Sequence, residues 1–129
     1  MKEQLITFET AKLAKEMGFQ SYTSFYYSED GEIKGTKIGM HGNPNAYGGI
    51  SAPTQSLLQK WLREVHSIYV SLDYLIIEVI DSKGVRFDWS IYNKNESIES
   101  KELIGLLTYE EALEKGLVAA LKYTFGNEI

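Results

Sequence analysis

Between residues 67 and 94, in SIYVSLDYLIIEVIDSKGVRFDWSIYNK, apolar residues recur at every second position, while the segments on either side repeat at helical spacing. A helix-period pattern does not settle as a strand, so this change of period sets the frame of helix, antiparallel strands, helix. Val85, Phe87, Trp89 and Ile91 alternate with Arg86, Asp88, Ser90 and Tyr92, the mark of a strand buried on one face. Ile68, Val70 and Leu72 alternate too, and the phase then moves to Leu75, Ile77 and Val79, which predicts a bulge or bend near Asp73. Ser82, Lys83 and Gly84 read as the turn between these strands, and residues 99–107 as a further strand.

The flanking helices carry their own start signals. In SAPTQSLLQKWLREVH, Ser51 reads as the cap and Pro53 as a first-turn residue, where its missing N–H costs nothing. Leu57, Leu58, Trp61, Leu62 and Val65 form one stripe of a helix over 54–66, with Gln55, Gln59, Lys60 and Arg63 away from it. Near the C-terminus Thr108 and Glu111 spell a capping box, and Glu111 stands four residues before Lys115 as a favourable pair. Tyr109, Ala112, Leu113, Gly116, Leu117, Ala120 and Leu121 make a continuous stripe over 109–124. Its small members allow this helix to approach a sheet or another helix closely.

The N-terminal half is shorter in its signals. Phe8, Ala11, Ala14 and Met17 predict an amphipathic helix over 8–17, ended by Gly18 in the left-handed region. Residues 21–27 and 33–38 read as strands joined through Asp30-Gly31, a hairpin dipeptide. The run GMHGNPNAYGG, residues 39–49, is longer than most connections and reads as a mobile or functional loop joining the two halves. The order is then α-β-β-α-β-β-(β)-α: a single α+β domain over residues 1–129, with an antiparallel sheet packed against two or three helices. Trp61, Leu62, Phe87, Trp89, Leu113, Leu117 and Leu121 form its expected core.

Composition narrows the chemistry. The chain has no cysteine, which excludes disulfides and thiolate nucleophiles or ligands. His41 and His66 are the two histidines and share no helical metal spacing. His66 falls at a helix end, where a cation suits the dipole. Gly35, Gly39, Gly42, Gly48 and Gly49 match no phosphate-binding fingerprint, and Ser51 and Thr54 compete for the free N–H groups of the helix that follows. The carboxylate pairs Glu29/Asp30, Glu110/Glu111 and Asp73/Glu78 are set near no histidine, and no serine lies in a nucleophile elbow. The reading is a non-enzymatic protein with no catalytic residue, cofactor or metal. The charged N-terminus lacks a signal-peptide run and no segment is long and apolar enough for a bilayer, which points to the cytoplasm.

Two kinds of partner remain. The order helix, strands, helix from Thr54 to Phe125 resembles a double-stranded-RNA-binding domain, which would grip phosphates from the start of its last helix. That position here is Thr108-Tyr109-Glu110-Glu111, and the net charge is −5. Lys60 and Arg63 are the cations available for such contact. Protein contact is the leading reading. Nine tyrosines are present, and a tyrosine buries much area at an interface with few rotatable bonds. Tyr22, Tyr26 and Tyr27 lie on a small sheet edge with little proline or charge to discourage pairing, and are expected either at a partner or homodimer surface or as a cover for the core from one side.

The segments SAPTQSLLQKWLREVH, TYEEALEKGLVAALKY and TAKLAKEMGF are similar to small proteins encoded in Bacteroidetes phages, prophages and related mobile elements. The resemblance covers about a third of the chain. It implies a phage-related intracellular setting and an accessory role, and it carries no activity or functional residue with it.

Overall fold

Thr7 starts the first helix, α1 (Phe8–Glu16): its hydroxyl accepts from the Thr10 N–H at 3.3 Å, and Met17 closes the last turn. Gly18 then takes φ +93° and sends Phe19 back over the helix, where its N–H donates to Ala14 O at 2.9 Å and its ring is fully buried. The computed structural model describes residues 4–19, 23–35, 48–79, 82–94, 97–101 and 108–127. Residues 36–47, with most of the glycine-rich loop and His41, lie outside them, as does Tyr22.

A small antiparallel sheet follows, built from β1 (Phe25–Tyr27), β2 (Ile33–Gly35) and β3 (Ile50–Ser51) in the order β2-β1-β3. The hairpin closes where Ser28 N–H donates to Glu32 O, so Asp30 and Gly31 sit within a wider turn than a two-residue loop. Gly31 has φ +90° and lies under the Phe8 ring. β3 carries a correction. Ser51 does not cap the next helix: it pairs with Tyr26. Pro53 is outside the helix as well, and its carbonyl accepts from Ile6 N–H at 3.0 Å. The N-terminal segment thus holds residues 50–53 extended, and the cap passes to Thr54.

In α2 (Gln55–His66) the Thr54 hydroxyl accepts from Leu57 N–H at 3.2 Å. Leu58 and Leu62 are fully buried and Trp61 packs at the core margin, whereas Leu57 and Val65 are exposed. The buried face therefore includes Gln55, which the hydrophobic pattern placed outside. Its amide is satisfied there, donating to Glu110 O at 2.7 Å and to Glu114 Oε1 at 3.0 Å. Ser67, at φ +56°, ends the helix by donating its N–H to Leu62 O.

The larger sheet has the order β4-β5-β6, with β4 (Tyr69–Val79), β5 (Ser82–Tyr92) and β6 (Ser97–Lys101) all antiparallel. The β4–β5 register runs unbroken from Tyr69↔Tyr92 to Val79↔Ser82. There is no bulge at Asp73, and Ser82, Lys83 and Gly84 belong to the strand, not to a turn. Tyr74 and Ile76 continue the face begun by Ile68, Val70 and Leu72, because side chains keep period 2 along an unbroken ladder. The irregularity lies instead between β5 and β6, at Ile91/Tyr92.

The last helix, α3 (Tyr109–Asn127), begins as its sequence predicts: Thr108 N–H donates to Glu111 Oε1 at 3.2 Å and Glu111 N–H to Thr108 Oγ1 at 3.1 Å. Among the described residues the ion pairs are Glu9–Lys12 and Lys60–Glu64, so Glu111 and Lys115 do not pair. Ala112, Leu113, Leu117, Ala120 and Leu121 are buried against the strands and α2. Gly116 brings the helix so near the sheet that a methyl group there would reach 2.9 Å from Val70 Cγ1. One core joins Ile6, Ala11 and Ala14, Leu58 and Leu62, Ile68 and Val70, Trp89 and Ile91, and the α3 stripe, with Phe87 at its margin. The fold is α+β, with three helices and two three-stranded antiparallel sheets among the described residues. The two-residue β3 is the element the sequence pattern left out.

Candidate functional site

Three surfaces are candidates for contact, and each begins with how a strand or helix aims its side chains. On the small sheet, β1 sets Tyr26 and Tyr27 on opposite faces. Tyr27 packs its ring edge-on to Phe8, with centroids 5.5 Å apart, and donates its hydroxyl to Ile6 O at 2.7 Å. Burial first, and the Glu114 carboxylate second, hold its phenol above the ordinary value. Tyr26 instead lines an open concavity of about 510 Å³ with Ser28, Glu29, Asp30, Lys34, Gly48 and Gly49. Asp30 accepts from the Ser28 hydroxyl and then from the Glu32 N–H, which lowers its pKa. These bonds shape the turn.

The second surface is the outer face of α2. Lys60 and Arg63 are both exposed, and Lys60 reaches Glu64 at 3.9 Å along the same helix. Glu110 and Glu111 in the first turn of α3 supply the opposite charge. His66, at the end of α2, packs edge-on against Trp61 at 4.8 Å, and its Nε2 is buried without a hydrogen-bond partner. Its place is one of packing, with the Trp61 ring in turn edge-on to Phe19.

The third surface is the one that sequence reasoning missed. Ile68, Val70 and Leu72 point to the helices, and the same face of β4 then runs on into Tyr74 and Ile76, which are 68% and 69% exposed. Across the ladder Tyr74 stands opposite Phe87, and Phe87 meets the Tyr109 ring at 5.7 Å. Tyr109, itself 49% exposed, begins α3, so helical cover stops at this level. Leu72, Tyr74, Ile76, Phe87 and Tyr109 therefore form a contiguous apolar strip where the sheet outruns its helices. The signal was legible as the continued even-numbered alternation through Tyr74 and Ile76; the apolar Leu75, Ile77 and Val79 masked it by suggesting a change of phase.

For chemistry the described residues offer no group of three or more histidines, aspartates and glutamates placed to hold a metal ion. Asp73 stands opposite Asp88 in the β4–β5 register, and Glu29 and Asp30 share the hairpin turn. Among the described residues no helix is long and apolar enough to cross a membrane. Compared with protein-family models, curated proteins and solved structures, the chain finds no match in any of the three.

Proposed function

We propose that this protein acts by contact with another protein chain, as a non-enzymatic cytoplasmic accessory factor of phage or mobile-element origin. The observation that carries the reading is the strip around Tyr74 and Ile76, two large side chains left more than two-thirds exposed on a face that elsewhere forms the core. Soluble proteins rarely leave a contiguous apolar patch of this kind open unless something binds it. Tyr26, lining the concavity beside the small sheet, is the second contact point; Tyr27 packs inward instead, against Phe8 and Ile6, and Tyr22 lies outside the described residues. A photo-cross-linking residue at Ile76, read in cells that express the protein, tests the reading. It should give a discrete protein adduct that is lost with Tyr74→Lys, while the same probe at exposed Val65 gives none. Adducts that are equal at both positions, or absent at both, would reject it.

The runner-up is a nucleic-acid-binding module. It draws support from the order α2-β4-β5-β6-α3, with both helices against one three-stranded sheet, and from Lys60 and Arg63 on α2. Glu110 and Glu111 at the start of α3 oppose phosphate contact. Binding to duplex RNA with a salt slope that falls by about 1 on Lys60→Ala or Arg63→Ala would favour this second reading.

A further inference from the structure

We propose that β4 is the seam of a homodimer, its open edge pairing antiparallel with the same strand of a second copy about a two-fold axis at Tyr74. This deepens the contact reading above and rests on it. Among the described residues β4 has β5 on one side and no strand on the other. Val79 and Ser82 close the hairpin across two positions, and a pair closing so short a loop exchanges both its hydrogen bonds. By alternation the odd-numbered residues of β4 bond inward to β5. Leu72, Tyr74 and Ile76 then turn their N–H and C=O groups outward. Val70 shares that parity, and its carbonyl is taken by Gln59 Nε2 of α2 at 2.7 Å. The edge is thus closed at Val70 and open beyond it.

The open stretch is self-complementary. An axis at Tyr74 sets Tyr74 beside its copy and Leu72 opposite Ile76 of the second copy, all on the apolar face. It sets Asp73 opposite Leu75, whereas an axis one residue earlier would place the two Asp73 carboxylates directly opposite, which is destabilising. α3 lies over Phe87, Trp89 and Val70, and α2 reaches the edge at Val70, so both stop short of the paired stretch from Leu72 to Ile76. The two helical layers fall at opposite ends of a six-stranded sheet. At the seam Leu72, Tyr74 and Ile76 meet the same residues of the second copy. With side chains of ~150–250 Å² for the aromatic pair and the strand backbone added, this is a small interface, below the ~1,200 Å² of standard ones, as suits a dimer that forms with rising concentration. Isologous pairing of this sort also covers an edge that would otherwise template aggregation.

Sedimentation over a concentration series tests the seam. The wild type should shift from its 14.6 kDa protomer to twice that mass, and Tyr74→Lys should remain a monomer with unchanged circular dichroism. The chain lacks cysteine, so an introduced thiol reports on its own copy alone. Across such a pair the Cα atoms lie about 5.5 Å apart, within disulfide reach, so Tyr74→Cys should oxidise to a covalent dimer and Val65→Cys should not. A wild type that stays monomeric would overturn the dimer while leaving the Ile76 cross-linking result to judge the contact reading by itself. A dimer that survives Tyr74→Lys, or thiols that cross-link equally at both positions, would overturn the seam.

Discussion

Glu114 shows how much one side chain organises here. Its carboxylate accepts from the Thr7 N–H at 3.0 Å, the Thr7 hydroxyl at 3.1 Å and the Gln55 amide at 3.0 Å, so it ties α3 to the starts of α1 and α2. A negative charge at the start of α1 also suits its dipole. Burial, and after it this carboxylate, hold the Tyr27 phenol above its ordinary value in the folded chain. A raised pKa in the fold stabilises the protein fully below the unfolded value, near pH 10, and that contribution is lost as pH rises through the folded value. Tyr27→Phe should cost about 1 kcal/mol near neutral pH through the lost bond to Ile6 O. Its deficit against the wild type should shrink in strong alkali. Urea unfolding of both chains at neutral pH and above pH 10 checks this, and a deficit that does not change with pH would contradict it.

At the scale of elements, α3 was legible because three signals agree in it: a capping box, a helical stripe and small residues along that stripe. Gly116 tests the last of these. Replacing glycine by alanine in a helix gains up to ~1 kcal/mol of propensity, whereas forcing a methyl group into a packed contact costs ~1–3 kcal/mol. The added carbon would sit 2.9 Å from Val70 Cγ1 and 3.2 Å from Trp89 Cβ. Neither is the end of a flexible side chain, so the packing term wins. Gly116→Ala should lower the urea midpoint by an amount equivalent to about 1 kcal/mol, and a raised midpoint would show that α3 stands off the sheet. The start of α2 was less legible. Ser51, Pro53 and Thr54 all look like cap residues in sequence, and bonds between residues far apart in sequence, Ser51 paired with Tyr26 and Ile6 bonded to Pro53, decide for Thr54. Gln55 was misplaced for a similar reason, since its hydrogen-bond partners lie on α3 and leave no trace in local periodicity.

For the whole molecule, the α+β class and the order of helices around the large sheet followed from the change of period alone. The exposed apolar strip did not. A half-buried face and an exposed apolar face have the same alternation, and only the length of the helices relative to the strands distinguishes them. β4 runs eleven residues, and α3 covers the sheet from Phe87 toward Trp89 and Val70. What remains open, Tyr74 and Ile76 on an edge strand, is the basis of the functional account. Amide hydrogen exchange along β4, followed from dilute to concentrated protein, tests that account most directly. In dilute solution Asp73, Leu75 and Ile77 should be protected by β5 while Leu72, Tyr74 and Ile76 exchange freely. At high concentration the second set should become protected as well, with little change in the first. Protection of Leu72, Tyr74 and Ile76 already present in the dilute monomer would mean that the edge is covered within one chain. Free exchange at these three at every concentration would mean that no second copy pairs there.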